Sequence, residues 1–576
     1  MFTKFILSLC FLASLQIAVA QNIFELNEKL GRGINMGNMF EAPSETAWGN
    51  PFRADYFERI ADLGFNHVRI PIRWDTPSRT MQTAPYTIDA NFLNRIQSVV
   101  DKAMEAGLYV IINMHHHEQL FVSPDAVKPR FLSQWQQIAT YFKDYDERLL
   151  FEVLNEPNSN LTPAKWNVFF VDALATIRTS NPSRAVLVGV ANWGGLGSLA
   201  ELVLPEDEHL ILTIHYYEPF TFTHQGASWV GGNAQDWLGT TWEDTNLERQ
   251  EIELQFQYLN IFASTHDIPV HIGEFGAYSR ADLASRVKWT TFLARWFEEQ
   301  GYSWAYWEFS AGFGIFNPST NTYLQPLADA LLSNPMPAPV QVETETIFES
   351  DFVNAGNEWF LSVQPQAGGA YNTEAGVATI TVTQNSSDWW HVQLLKAGIA
   401  LKQDSRYLVT FEAAADESAG FTTYVGKTFG DYSAYSSYKN FTAISDFLQY
   451  AYTFTMQSPD DPIARIVFDF ASTATTFYLK NFKIQEILPE TATNTEDVRP
   501  IDFSIAPNPA SDYIQLTGIE HYDRVHLYNA MGVKLYTYET ARASEQEIAL
   551  SAWEGEVFYL VLENESRAVS QKILRF

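Results

Sequence analysis

The sequence predicts a (β/α)8 TIM barrel followed by an all-β sandwich and a small C-terminal β-sandwich. Three observations carry this. Up to Asn334, eight apolar strand-like runs alternate with longer helix-like segments, the pattern of βα units closing a parallel sheet. At 333–340 the proline-rich stretch SNPMPAPV ends that rhythm, and short alternating strands with turn residues follow without a helical pattern. A polar stretch, LPETATNTEDVRP at 488–500, then sets off a last β-like segment. The expected divisions are 1–20, 21–334, 341–487 and 501–576.

Residues 1–20 read as a secretory signal: Lys4, an apolar run, then Ala18-Val19-Ala20 as a small-x-small cleavage site. The run is short for a membrane-spanning helix, and Leu9 before Cys10 is too bulky for a lipoprotein signal. Cleavage after Ala20 would remove Cys10, the single cysteine. Disulfides, a thiolate nucleophile and cysteine metal sites would go with it.

Strands are expected at 31–38 (GRGINMGN), 65–72 (FNHVRIPI), 108–116 (LYVIINMHH), 149–155 (LLFEVLN), 185–192 (AVLVGVAN), 210–218 (LILTIHYYE), 269–275 (PVHIGEF) and 303–309 (SWAYWEF). Helical segments between them include 91–107 and 162–180, where Thr162 suits an N-cap and Pro163 the first helical position. The second region supplies strands such as VATITVT, YLVTFEAAA and ARIVFDF, and the third supplies VHLYNAMGVKLYTYE and VFYLVLENE.

With 46% hydrophobic residues, the 576-residue chain can bury several cores, which excludes wholesale disorder. Acids outnumber bases 68 to 37, a formal charge of −31. That charge repels nucleic acid, anionic membranes and polyanionic substrates such as pectin, and leaves a neutral polymer compatible. Aromatic residues make up 15% of the chain, an excess suited to stacking on sugar rings and also to large β cores. No later segment is apolar enough to span a membrane, and a monomer is expected.

In such barrels the chemistry lies at the C-terminal ends of the strands. Those ends carry Asn38 and Glu41, Arg69, His115-His116-His117, Asn155-Glu156, His215 and Tyr217, Glu274 and Trp307. A polar turn explains any one of them, but the whole set poorly. Glu156 and Glu274, on strands four and seven, can face each other across the mouth. Two facing carboxylates cleave a glycosidic bond: one protonates the departing oxygen, and the other attacks the anomeric carbon or activates water. Arg69 would keep one glutamate ionised, and Tyr217 would donate to the same group. His215 and Tyr217 are two apart and share a strand face. Asn155 would hold a sugar hydroxyl, and Trp307 would floor the reacting ring.

Blander readings compete. Consecutive histidines on a strand point to alternate faces, so His115–His117 cannot all converge on one ion, and no catalytic metal or cofactor is expected. Arg69 can instead be an interior ion-pair partner of Glu152, which has the strand parity of Glu156. Trp307 can be core.

Taken together, FEVLNEPN, HVRIPIRW, INMHHHE, TIHYYEPFTFTHQGASW, HIGEFGAYS and WAYWEFSAGFGIFN resemble glycoside hydrolase family 5 across the first region. GRGINMGNMFEAP and FTFTHQGASW are most similar to its subfamily 25, typified by bacterial endoglucanases that also accept mannans. The resemblance implies a retaining mechanism with Glu156 as acid/base and Glu274 as nucleophile. It implies sugar-binding roles for Asn38, Glu41, His115, His116, Asn155, His215, Tyr217, His224, Trp229 and Trp307, and carries no role to His117. The implied activity is a secreted endo-β-1,4-glucanase acting on cellulose, β-glucan, glucomannan or mannan. An endo-mannanase, a xyloglucanase, an exo-acting relative and a non-catalytic surface lectin are the alternatives.

The stretch from Ser386 through Asp416 resembles carbohydrate-binding modules of the family 4/9 jelly-roll type. It implies glycan binding and allows a structural Ca²⁺ there. Trp389, Trp390, Tyr424, Tyr432, Tyr435 and Tyr438 are the aromatic candidates, several of them expected in the core. The alternative is a spacer. APNPASDYI (506–514), LYNAMGVKLY (527–536) and VSQKILRF (569–576) resemble the C-terminal sorting domain of the type IX secretion system. This implies that secretion machinery as a partner and an extracellular or cell-surface location.

Overall fold

In the computed structural model, which describes residues 22–353, 358–488, 503–506, 510–529, 534–553, 557–564 and 567–575, the first region is a closed parallel barrel. The leader 1–20 and most of the 488–500 stretch lie outside the described residues. The barrel strands are β1 (Arg32–Asn35), β2 (His67–Ile70), β3 (Tyr109–Asn113), β4 (Leu149–Glu152), β5 (Val186–Gly189), β6 (Leu210–Tyr216), β7 (Val270–Phe275) and β8 (Ser303–Tyr306), paired in chain order with β8 closing on β1. Each lies inside its expected span and is shorter than it. The polar residues that the sequence pattern places on strand ends therefore sit largely in the loops just past them, as at His115–His117 and Asn155-Glu156.

Helices pack outside the barrel, burying a continuous apolar shell that includes Ile96, Val99, Trp135, Phe169, Phe170, Trp289 and Phe297. The helix Ala90–Glu105 starts at Asp89, whose carboxylate accepts from the Phe92 N–H at 2.9 Å. Thr162 holds the N-cap position of Pro163–Arg178, but its hydroxyl makes no capping bond. The N-terminal helix Ile23–Leu30 plugs the barrel floor, with Leu26 and Leu30 on Ile111, Leu150, Leu187 and Ile211.

The second region is an antiparallel sandwich. One sheet runs Gly368–Glu374, Val377–Gln384, Thr476–Ile487, Arg406–Ala415, Leu448–Thr455, with Thr344–Ser350 also paired to Thr476–Ile487. The facing sheet runs Phe360–Val363, Val392–Leu401, Asp461–Asp469, Ala419–Gly426, Lys439–Ala443. Phe411, Phe421, Phe468 and Phe482 lie in the core between them.

The proline-rich break is a docked connection. Residues up to Leu488 form one compact unit. Arg249 pairs with Asp244 at 2.6 Å and donates to the Pro337 carbonyl at 2.9 Å. Val340 exchanges backbone hydrogen bonds with Asp244 and Asn246. Leu247 of the helix Asn246–Gln255 packs on Leu408, Ala451 and Ile487 of the sandwich. The region from Pro489 is a second unit. It has a three-stranded sheet (Ser504–Ala506, Tyr513–Thr517, Glu545–Ala549) and a four-stranded one (Lys534–Glu539, Arg524–Asn529, Val557–Asn564, Arg567–Leu574) around a core including Ile514, Leu527, Ile548, Phe558 and Leu560. Among the described residues no helix is long and apolar enough to cross a membrane.

Candidate active site

Strand alternation alone does not aim Glu274 into the barrel. His271 of β7 faces inward, its ring 5.1 Å from that of His67, and a regular strand would then point Gly273 and Phe275 inward too. Pairing with β6 shifts register between Ile214/Ile272 and His215/Glu274, so Gly273 is an extra residue. This bulge turns Glu274 to the interior, and sends Phe275 outward against Trp289 and Phe297. Asn35 holds the Gly273 carbonyl at 2.9 Å. Glycine is required there, because a Cβ would lie 2.6 Å from Thr213 Oγ1. At Gly276 a Cβ would lie 2.2 Å from the Trp307 carbonyl oxygen.

Arg69, fully buried on β2, organises the site through all five of its N–H groups. Nε and Nη2 clamp Glu152 at 2.6 and 2.8 Å, Nη1 reaches Glu274 Oε1 at 2.7 Å and Asn35 at 2.8 Å, and Nη2 reaches Asn155 Oδ1 at 2.6 Å. The two roles weighed for Arg69 are thus held at once. Tyr217 donates to Glu274 Oε2 at 2.9 Å. His215 Nδ1 lies 2.7 Å from Glu156 and 3.6 Å from Glu274. One oxygen of each glutamate and a His215 ring nitrogen fall within 4.8 Å of one another.

Electrostatics follow from this burial. Desolvation pushes the Glu274 carboxyl above the usual carboxylate range and Glu156 adds to the push, while His215, Arg69 and Tyr217 pull the other way. Burial opposes charge on His215, but Glu274 and Glu156 outweigh it and hold the imidazole above its ordinary range. Among the described residues, Glu156, His215 and Glu274 are the one trio of His, Asp, Glu or Cys close enough to hold an ion. They do not suit one, since a cation would sit against Arg69 and compete with the hydrogen bonds those carboxylates already accept. Among its described residues the sandwich offers no such trio for the Ca²⁺ its resemblance allows.

The other expected residues fall as follows. Asn155 gives its oxygen to Arg69, so its amide nitrogen is what remains to meet a sugar. Trp307 is half-buried and stacks on His115 at 5.6 Å and 10°. Asn113 donates to His115 Nδ1 at 3.1 Å, which leaves the ring proton on Nε2. His116 is half-buried beside Trp48. His117 turns away, buried on Gln134, with burial lowering its pKa to about 4. Asn38 adopts φ 64° and donates its backbone N–H to Glu41. Glu41 itself is buried, accepting from the Met39 N–H at 3.0 Å; desolvation pushes it up to about 8 against those amides. In this arrangement Glu41 shapes the loop that carries Asn38 and does not open onto solvent. His224 stacks on Phe220 at 4.2 Å and meets Tyr217 edge-on, with burial holding it at about 4. Trp229, 58% exposed, stands edge-on to Tyr278.

Two exposed aromatics escaped the sequence reasoning. Trp193 is 59% exposed, and its N–H donates at 3.3 Å to the carbonyl of Pro157, directly after Glu156. It follows β5, whose end carries no ionisable group, so attention to charged rim residues passes over it. Trp48, 44% exposed, lies beside His116 in the long β1–β2 connection.

A second candidate lies on the outer face of the five-stranded sandwich sheet. Gln393 donates to buried Asp469 at 2.7 Å, and desolvation pushes that carboxyl to about 7. Arg465 lies over Tyr432, and Tyr438 meets both Tyr424 and Trp389. Trp389, Trp390, Tyr432 and Tyr438 are exposed, whereas Tyr424 is buried and Tyr435 packs on the core while donating to Asp461 at 2.8 Å.

Residues 31–312 match the profile of the cellulase family, glycosyl hydrolase family 5. The endoglucanase Cel5A of Thermotoga maritima is 46% identical with a TM-score of 0.53, covering 54% of this chain and 100% of that one. The chain belongs to glycosyl hydrolase family 5. Endoglucanase H of Acetivibrio thermocellus is 36% identical over 317 residues, 54% of this chain and 33% of that protein. The chain thus spans about a third of the length of that relative. The Thermotoga enzyme has also been crystallised with mannotriose and with cellobiose. Residues 344–475 match a carbohydrate binding domain and 504–575 a secretion system C-terminal sorting domain. The latter marks a secreted or cell-surface protein.

Proposed function

We propose that the protein is a secreted retaining endo-β-1,4-glucanase with Glu156 as acid/base and Glu274 as nucleophile. The observation that carries this is the carboxylate pair, whose nearest oxygens lie within 4.8 Å beside His215. Retention goes with carboxylates about 5–5.5 Å apart, whereas inversion needs about 6.5–9.5 Å to admit a water. Glu156, bonded to His215 and partly open to solvent, protonates the glycosidic oxygen as Glu274 attacks the anomeric carbon. Glu156 then takes a proton from water as that water displaces Glu274. Arg69 and Tyr217 hold both Glu274 oxygens, aiming the nucleophile. Asn155 and Trp307 position the ring at the bond, and Asn38, His115, His116, His224 and Trp229 extend the contact surface, with Glu41 bracing the Asn38 loop.

The substrate is a β-1,4-glycan, cellulose or a related β-glucan. Mannan is a second substrate, a reading favoured by the mannotriose complex of the Thermotoga relative. Reducing-sugar release from carboxymethylcellulose and galactomannan, measured side by side, is expected to be positive on both. Release from the mannan alone would overturn the glucanase assignment, and release from neither would return the protein to the lectin alternative.

The sandwich face bearing Trp389, Tyr438 and Asp469 binds the same polymer. Affinity electrophoresis in gels containing soluble β-glucan is expected to show retardation that Trp389→Ala reduces about tenfold in affinity, near the upper end for one lost stacking contact. Equal retardation of the variant would remove this face from binding. The type IX machinery is the export partner of the C-terminal domain.

A further inference from the structure

Beneath the two glutamates, beside the likewise unpartnered His67 Nε2, the barrel interior holds three further buried polar atoms without a protein partner among the described residues: His215 Nε2, Thr213 Oγ1 and His271 Nε2. They lie on adjacent strands. Thr213 and His215 share the inward face of β6, and Thr213 pairs directly with His271 of β7. Thr213 Oγ1 and His215 Nε2 also crowd the same face of Gly273, at 2.6 and 3.2 Å from where its Cβ would be.

The hydrogen-bond roles of these atoms are complementary. Ser303 donates its hydroxyl proton to Asn27 Oδ1 at 2.7 Å, so it accepts from His271 Nδ1–H at 2.7 Å. Burial keeps His271 neutral, its pKa well below the ordinary value, so His271 Nε2 is a bare acceptor. His215 Nδ1 faces the glutamates. A protonated His215 presents Nε2–H as a bare donor. A hydroxyl between them can accept from one and donate to the other.

We propose that Thr213 is a positioning residue that links His215 to His271 through ordered water, its hydroxyl taking the hydrogen bond that starts at His215 Nε2–H and passing one on to His271 Nε2. A polar chain then runs from the barrel floor, through Asn27, Ser303, His271 and Thr213, to His215 and the catalytic carboxylates. It keeps both His215 nitrogens protonated, so that Nδ1–H stays directed at Glu156 and Glu274. The inference rests on the proposed roles of those glutamates. The groups facing His215 are Glu156 from the β4 loop, Glu274 and His271 from β7, Arg69 from β2 and His115 from the β3 loop. The carboxylates favour its charge and the three cations or imidazoles oppose it.

The test is the pH dependence of kcat/KM in the full chain, with ¹⁵N NMR of its labelled histidines. Thr213→Val keeps the shape and removes the hydroxyl. It is expected to move the alkaline limb down by about one pH unit, with a fall of about tenfold on the alkaline side of that limb, because His215 then loses its proton more readily. Thr213→Ser is expected to restore the limb. An unshifted limb in Thr213→Val, or a valine-like profile in Thr213→Ser, overturns the proposal. If Thr213→Val does not fold, the wild type decides: His215 Nε2 protonated at neutral pH supports the link, and an unprotonated Nε2 overturns it. The NMR measurement needs no turnover, so failure of the glycosidase assignment is read separately, as absence of wild-type activity.

Discussion

Replacing Glu274 by glutamine is expected to lower kcat on β-glucan by on the order of 10⁴-fold or more, about 5 kcal/mol of transition-state stabilisation. The amide is nearly isosteric, so the hydrogen bond from Tyr217 and the bulge at Gly273 can persist. Binding of a cello-oligosaccharide, followed by calorimetry, should therefore stay within a few-fold of wild type, because ground-state contacts do not depend on nucleophilicity. Retained turnover in this variant sinks the nucleophile assignment. A smaller residue at 274 should regain turnover with azide and give the α-glycosyl azide, since the anion enters from the face the carboxylate has vacated.

The pH profile should report the same group. Burial raises the Glu274 pKa above the usual carboxylate range, with Glu156 adding to the effect. A nucleophile must be ionised, so activity is present above that raised pKa and is lost as pH falls through it. The acid limb of kcat/KM should accordingly lie higher than an ordinary glutamate would set it.

Much of this site was legible because its chemistry is written in residue types at strand ends. The sequence alone groups Glu156, Glu274, Arg69, His215 and Tyr217, since β/α alternation assigns the rim and two-residue spacing assigns a strand face. Periodicity could not show that β7 breaks its own alternation at Gly273, because a bulge leaves only a glycine as its trace. Nor could it distinguish a carboxylate that faces solvent from one folded into its own loop, as at Glu41, where the decisive partners are backbone amides. Trp193 was hidden for a related reason: a lone tryptophan before two glycines has no charge to mark it, and only its backbone bond to Pro157 sets it beside Glu156. The proline-rich stretch before the sandwich suggested separation. The apolar contact of Leu247 and Leu254 with Leu408 and Ile487 instead joins the two regions, a pairing between residues far apart in sequence.

Arg69 should give the largest loss of stability. Its substitution by methionine removes five hydrogen bonds and leaves Glu152 and Glu274 buried without their cation. Breaking a buried pair in this way costs about 3–5 kcal/mol, and thermal unfolding of the barrel should show a correspondingly lower midpoint. Lysine retains the charge but has three donors and no planar fork. It can hold Glu152 or Glu274 but cannot also span Asn35 and Asn155, so Arg69→Lys should recover part of the stability and little of the activity. A second change separates the two arms. Adding Glu152→Gln to Arg69→Met removes one stranded charge and should return stability toward wild type, while kcat stays low because Glu274 still lacks its guanidinium. If the double variant recovers kcat as well, Arg69 acts only by holding the fold; if stability returns alone, the arm to Glu152 supports the barrel and the arm to Glu274 serves the reaction.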